Sequence, residues 1–141
     1  MITHMIFYEL KIEYIRQTGE DNPNGVKETY FVEGLTVADV EERLLGEIQK
    51  YISGEWTIKS CKQVQLLDYV ANPAAKYWYK ARVELISIDG DKETRRAHNV
   101  YAEADNITEA NKVIHQAMGN EDFEVASIAR TKLTDIIRAI N

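Results

Sequence analysis

Cysteine, histidine and long apolar runs are scarce in this chain of 141 residues, and each shortage excludes a class of protein. A single cysteine, Cys61, excludes an internal disulfide framework and a multi-cysteine zinc site. The three histidines lie far apart in the sequence, so we expect no histidine-based metal site. The apolar runs are a few residues long, whereas a membrane-spanning helix needs about 20, and no signal peptide is visible. We therefore expect a cytoplasmic protein with no membrane partner and no cofactor.

Positively charged residues are also fewer than negatively charged ones. The chain has 17 Lys and Arg residues against 23 Asp and Glu residues, which gives a net charge of −6. This balance argues against a protein that coats nucleic acid generally, although a basic stripe on one face would still create a local positive field. The sequence contains no glycine-rich phosphate loop, nucleophile elbow or metal-ligand spacing. We therefore expect a binding protein rather than an enzyme, with no catalytic and no metal-binding residues.

The most informative feature of the sequence is an internal repeat of about 65 residues. Residues 7–15 and 78–86 both alternate apolar and polar side chains with a period of two, which is typical of half-buried strands. Turn residues and a second alternating run follow in each half, as in a β-hairpin. The predicted turn and second strand are 19–25 and 26–33 in the first half, and 89–91 and 94–103 in the second.

A helix is predicted after the second strand of each half. Thr36 and Asn106 occupy equivalent N-cap positions, and an acidic residue follows three positions later, as in a capping box. Gly54 and Gly119, just beyond the two helices, predict left-handed C-caps. Apolar residues recur at helical spacing. The predicted buried faces are Val40, Leu44, Leu45, Ile48 and Ile52 in the first helix, and Ile107, Ala110, Val113, Ile114, Ala117 and Met118 in the second.

A third strand closes each half, at 56–60 and at 123–127. The match between the halves continues at a constant offset to Asp68 and Asp135, which are paired carboxylates. An acid–base or metal role is conceivable for such a pair, but we favour a local role in the backbone at strand ends.

These patterns predict an α+β fold made of a duplicated β-β-α-β unit, an antiparallel sheet with helices packed on one side. We expect a single domain at 6–141, with repeats at about 6–71 and 76–137. Residues 1–5 are interpreted as a cloning remnant or an unstructured start. The tail from residue 134 onward is ambiguous between helix and strand.

Aromatic and basic side chains share the outward faces of the predicted strands. By alternation, Trp78 lies on one face with Lys80 and Arg82, and Phe7 lies on the equivalent face with Lys11. Aromatic rings interleaved with cations can stack single-stranded bases and neutralise the phosphate backbone. Alternatively, the same pair of large aromatics packs against the other repeat, a dimer partner or the C-terminal segment.

Two further candidates come from the second hairpin and the third strand. Arg95 and Arg96 are adjacent cations that could recognise an anion such as phosphate. They could equally be charges that keep an exposed hairpin from aggregating. Cys61 is equivalent to Ile128 in the other half, so we interpret it as a small core residue rather than a nucleophile.

The chain resembles the domain-of-unknown-function family numbered 4494, which is found in gut bacteria of the Bacteroides group and their phages. The segments that carry this resemblance are 7–12, 51–56, 78–81 and 126–135. The resemblance implies no established activity and no catalytic residues. It also implies a link to replication and single-stranded DNA binding, because related proteins of large gut phages have been connected with both.

We therefore expect a non-catalytic binding protein of the bacterial or phage-infected cytoplasm, with single-stranded nucleic acid in phage or mobile-element replication as the favoured ligand. The first alternative is a phage structural or interaction protein that acts as a homodimer or higher oligomer. The second is a protein that sequesters a small nucleotide. The candidate nucleic-acid contacts are Phe7, Lys11, Trp78, Lys80, Arg82, Arg95 and Arg96.

Overall fold

A computed structural model describes residues 6–15, 25–52 and 54–139. Residues 1–5 and most of the predicted turn at 19–25 therefore lie outside the described residues. The elements in chain order are β1 (Phe7–Ile15), β2 (Gly25–Glu33), α1 (Val37–Ile48), β3 (Trp56–Val64), β4 (Asp68–Val70), β5 (Tyr77–Asp89), β6 (Lys92–Ala104), α2 (Ile107–Met118), β7 (Phe123–Arg130) and β8 (Leu133–Ile137).

The ten elements build two similar sheets, each with four strands. Their strand orders are β3-β1-β2-β8 and β7-β5-β6-β4. The hairpin pairs β1–β2 and β5–β6, and the pairs β1–β3 and β5–β7, are antiparallel, whereas β2–β8 and β4–β6 are parallel. The α+β class is confirmed, and the identical strand order supports the predicted duplication. The sequence patterns missed the parallel fourth strand of each sheet.

The chain divides into two compact units, and each takes its fourth strand from the other half of the sequence. The first unit comprises the described residues up to Gln65 together with residues 133–139. The second unit comprises Leu66–Lys132. The ambiguous tail is therefore a strand, β8, in the sheet of the first unit. The compact units differ from the predicted repeats, 6–71 and 76–137, because each unit contains the fourth strand that the sequence order places in the other repeat.

Equivalent glutamates hold the chain that follows each fourth strand. Glu33, at the end of β2, accepts a hydrogen bond from the backbone N–H of Ala139 at 2.9 Å. Glu103, near the end of β6, accepts one from the backbone N–H of Asn72, also at 2.9 Å. The two bonds repeat at matching positions, which shows that the exchanged strands belong to the duplicated pattern.

The paired carboxylates predicted at the strand ends have the expected local role. The side chains of Asp68 and Asp135 each accept a hydrogen bond from the next backbone N–H, that of Tyr69 or Ile136, at 2.8 Å. Such local bonds fix the backbone conformation. Asp68 is the first residue of β4, as predicted for a strand end, whereas Asp135 is the third of the five residues of β8, so its predicted position at a strand end is wrong.

Both helices begin where the sequence predicts. The Thr36 hydroxyl accepts from the N–H of Asp39 at 3.1 Å, and the Asn106 side-chain oxygen accepts from the N–H of Glu109 at 2.8 Å. Each bond satisfies one of the amide groups that the first turn of a helix leaves free. The predicted N-caps are confirmed.

The two helices end differently. Gly119 follows α2 directly with a φ of 60°, a backbone conformation that favours glycine. The C-cap prediction for Gly54 is wrong, because α1 already ends at Ile48 and its C-cap, Gln49, is right-handed. Gly54 does have a φ of 121°, but it lies in the connection to β3.

One face of each helix packs on its sheet. The buried helix residues are Val40, Leu44 and Ile48 in α1, and Ala110, Ile114 and Met118 in α2. Leu45 is 41% exposed, since it is rotated about 100° from its buried neighbour Leu44, so its predicted burial is wrong. Ile107, in the first turn of α2, is 48% exposed, and Ala117 is exposed as well, so both also depart from the prediction. Ile52 lies beyond α1 but still packs against the same core.

Candidate functional site

The two aromatic residues proposed for base stacking are buried. Phe7 is 1% exposed and Trp78 is 2% exposed, so neither ring presents a face to solvent. The expectation that this strand face is open at its aromatic end is therefore wrong. Strand alternation fixes the side of the sheet on which a residue lies, but it does not reveal whether that side is covered.

The cations of the same strand faces are accessible. Lys11, Lys80 and Arg82 are exposed, and none of them forms an ion pair among the described residues. They lie on the strands where alternation placed them. These faces therefore offer separate positive charges without the aromatic platform that base stacking requires.

Arg95 is engaged by acidic neighbours. Its guanidinium lies 2.7 Å from Glu124, 3.3 Å from Glu84 and 3.4 Å from Glu93. Hydrogen bonds to Glu124 and Glu84 raise the pKa of Arg95 further above its usual value. Because three carboxylates already surround the positive charge of Arg95, this residue is better interpreted as a charge that keeps an exposed hairpin from aggregating than as an anion-binding residue. Arg96 is exposed and forms no ion pair within the described ranges.

Cys61 behaves as a core side chain. It is half-buried and packs against the helix-side core of the first unit. Burial, together with the charge of Glu41, raises the pKa of its thiol. A raised pKa disfavours the thiolate, which is the nucleophilic form of cysteine.

Each sheet ends in one long edge strand, β3 in the first unit and β7 in the second. Both edges carry a bulge at the same place in the repeat. The register of β1 with β3 shifts so that Lys59 has no partner residue, and the register of β5 with β7 shifts so that Ala126 has none. Bulges twist an edge strand locally and interrupt its regular pairing.

The two edges differ in their charge. On β3, Lys59 lies 3.8 Å from Glu13 and Lys62 lies 3.6 Å from Glu9, and both lysines are exposed. The equivalent positions of β7 are Ala126 and Ala129, which are also exposed. Lysines on an edge strand discourage another strand from pairing with it. The edge of β7 therefore lacks the protection that β3 has.

A groove of about 750 Å³ runs along β7 beside α2. Ile107 and His115 line it from the helix, and Phe123, Val125 and Ile128 line it from the strand. The rings of His115 and Phe123 are 5.0 Å apart. The groove thus places a partly apolar floor next to backbone groups that no described strand pairs with.

The sequence alone did not single out this groove. Knowing that β7 is an edge requires the strand order, which is set by contacts between distant segments. The available signal was the replacement of two lysines of the first repeat by alanines in the second. That difference acquires a meaning only after both strands are known to be edges.

The described ranges contain neither a metal-ligand cluster nor a helix that could span a membrane. No three histidine, cysteine or carboxylate side chains cluster there in a way that could hold a metal ion. No helix within those ranges is long and apolar enough to cross a bilayer, since both have 12 residues.

A family model covers nearly all of the chain. The model of a family described as Domain of unknown function (DUF4494) matches residues 6–139. No curated protein and no solved structure matches the chain.

Proposed function

The chain belongs to the family described as Domain of unknown function (DUF4494), and we propose that it is a non-catalytic assembly protein whose copies associate by pairing their β7 edges. The observation that carries this proposal is the edge of β7, which shares the bulge of β3 but has no lysine, and which lies beside the groove of α2. The phage or bacterial setting implied by the family resemblance would be the place of such an assembly.

An edge strand carries a row of backbone N–H and C=O groups that can pair with another strand. In β7, antiparallel pairing with β5 uses the backbone N–H and C=O groups of every second residue. The backbone groups of the other residues point sideways, away from β5. Addition of a strand from a second copy would satisfy those groups. Four strands would become part of a continuous sheet of eight across the two copies.

The charges of β7 suit pairing with a second copy in antiparallel orientation. Glu124 lies near the start of the strand, where it also contacts Arg95, and Arg130 lies at its end, with its guanidinium 4.5 Å from the centre of the Tyr77 ring. Antiparallel pairing brings the acidic end of one strand beside the basic end of the other, and the two-fold symmetry makes this contact twice. The two α2 helices would then lie on the same side of the shared sheet, with the exposed Ile107 of each copy next to the groove.

We expect two lysines on β7 to prevent this association. The change is Ala126→Lys together with Ala129→Lys, which gives β7 the two lysines found on β3. Both positions are exposed, so the fold should be unaffected. Wild-type protein should sediment with about twice the monomer mass of 16.2 kDa at high concentration, and the variant should sediment as a monomer.

The matched control is Ala117→Lys, which adds the same charge at an exposed position of α2 that does not line the groove. This variant should associate like the wild type. A wild-type protein that stays monomeric at every concentration, or a double-lysine variant that still dimerises, would exclude assembly through β7.

Single-stranded nucleic acid is a second candidate ligand, supported by Lys80 and Arg82, which are exposed on one strand face and form no ion pair with any described residue. The binding would be to the phosphate backbone, without stacking on Trp78. Its affinity for a short oligonucleotide should then fall steeply as the salt concentration rises. We rank it below assembly because the net charge is −6 and the aromatic rings are buried.

A further inference from the structure

A smaller cavity in the first unit is lined by tyrosine rings and a carboxylate. It has a volume of about 240 Å³ and lies between the C-terminal end of α1 and the helix-facing side of β1 and β2. Its polar and aromatic lining consists of Tyr14, Glu28, Tyr30 and Tyr51. The volume is several times the roughly 30 Å³ that one water occupies in the liquid. It is below the roughly 300–1,000 Å³ of pockets for drug-sized ligands, so the cavity suits a small chemical group rather than a nucleotide.

Three tyrosines contribute rings to this one cavity. Tyr14 and Tyr30 lie on the side of the sheet that packs on α1. Tyr51, just after α1, is 83% exposed and lies at the mouth of the cavity. The face of an aromatic ring is electron-rich and attracts a cation.

A carboxylate is part of the same lining. The hydroxyl of Tyr30 donates a hydrogen bond to Glu28 at 3.3 Å. Burial and the charge of Glu28 raise the pKa of Tyr30 above its usual value, so its hydroxyl stays protonated. Asp135 also contributes to that raised pKa, and burial, together with the charge of Glu47, raises the pKa of Asp135 itself. The surroundings of the cavity therefore carry several negative charges.

These carboxylates have no cationic partner in the described part of the chain. No lysine or arginine there forms an ion pair with Glu28, Glu47 or Asp135. An opposite charge brought into the cavity would meet negative charge that no described lysine or arginine pairs with, at close range, where the surrounding protein screens it less than bulk water does.

The second unit shows that the shared fold does not require this lining. The positions equivalent to Tyr14, Glu28 and Tyr30 are Leu85, His98 and Val100. The same sheet and helix therefore pack there without the two rings and the carboxylate. The lining is a property of the first unit, additional to what the duplicated fold needs.

We propose that this cavity binds an alkylammonium group, with the cation against the tyrosine rings and Glu28 as its counter-charge. The group is either a free alkylammonium ion or the ammonium of a lysine side chain, and the two share a positive charge on an alkyl-substituted nitrogen. This site lies in the first unit and does not depend on the pairing of β7.

The direct test is an NMR titration of the full chain with tetramethylammonium chloride, with the ionic strength held constant by sodium chloride. The uncharged comparison is tert-butanol, which has a similar shape. We expect saturable shifts of the cavity resonances with the cation and none with the alcohol. Equal responses to both compounds, or no saturable response to the cation, would overturn the proposal.

Two variants locate the binding. Tyr51→Ala removes an exposed ring, and Glu28→Gln removes the charge at nearly constant shape. Loss of one cation–π contact should weaken binding by about 2- to 30-fold, and loss of the charge should also weaken it measurably. Glu121→Gln, an exposed acid of the second unit, is the matched control and should bind like the wild type. Unchanged affinity in both cavity variants would refute the assignment.

A peptide comparison distinguishes the sources of the ammonium group. An acetylated Gly-Lys-Gly amide and its norleucine counterpart differ only in the ammonium and have the same approximate length. Tighter binding of the lysine peptide than of tetramethylammonium identifies a side chain as the source, and the reverse order identifies a free alkylammonium ion. Binding of the norleucine peptide as tight as that of the lysine peptide would contradict recognition of the charge.

Discussion

Trp78→Ala should lower the free energy of unfolding by about 3–5 kcal/mol. The side chain is 2% exposed, so truncation removes a large buried apolar surface and leaves a cavity. The strand itself should persist, because the Trp78 carbonyl accepts hydrogen bonds from the N–H and the hydroxyl of Thr131, both at 2.8 Å. For a chain of this size, we expect the melting temperature to fall by roughly 10–20 °C. Chemical and thermal unfolding followed by circular dichroism measure both quantities.

Trp78→Phe is the matched control for this prediction. Phe7 occupies the equivalent position in the first unit, so a phenyl ring suits this place in the fold. The change also removes the indole N–H, which is buried and has no acceptor among the described residues. Its loss of stability should therefore be clearly smaller than that of Trp78→Ala. If Trp78 were a stacking platform, Trp78→Ala would instead keep the stability and weaken oligonucleotide binding by about ten- to a hundredfold.

Ile114→Ala should cost about 2–5 kcal/mol of unfolding free energy. Ile114 is fully buried on the inner face of α2, in the same core as Val83 and Val100. Removal of most of its side chain leaves space that neighbouring strand residues can fill only in part. The same range is expected for Ile48→Ala in α1, where the side chain is also buried. Denaturant unfolding curves give both values.

Ile88 provides the comparison for these isoleucines. It is 68% exposed near the end of β5, so Ile88→Ala should change the stability by no more than about 0.5 kcal/mol. A similarly small effect of Ile114→Ala would mean that α2 does not pack on its sheet by this face.

The parts of the fold that the sequence predicted correctly are those with local signals. Alternation over nine residues places β1, and the side chains of Thr36 and Asn106 mark the starts of the helices. The duplication strengthened each of these assignments, because the same pattern occurs twice. Local hydrogen bonds and side-chain periodicity need no knowledge of distant contacts.

The missed features depend on contacts between distant parts of the chain. The strand β8 pairs with β2 across about a hundred residues of sequence, and β4 is only three residues long. Three residues are too few to show a periodicity, and in β8 the polar Thr134 and Asp135 are followed by two apolar residues, so its side chains do not alternate. The burial of Trp78 likewise depends on what covers its side of the sheet, which alternation does not contain. The end of α1 was misplaced because Gly54, a typical C-cap residue, lies in the following connection.

The candidate site was predictable only in its components. The exposed cations Lys80 and Arg82 lie where alternation placed them, but the aromatic partners proposed for them are buried. The edge of β7 and its groove follow from the strand order. The cavity of three tyrosines and Glu28 brings together residues from β1, β2 and the end of α1, which no spacing in the sequence connects.

The most direct test of assembly through β7 is hydrogen–deuterium exchange measured at increasing protein concentration. Amide groups of β7 that point away from β5 should exchange more slowly as the concentration rises, because a second copy then pairs with them. The amides of β3, whose edge carries Lys59 and Lys62, should exchange at rates independent of concentration. Exchange of β7 amides that does not change with concentration would contradict the account.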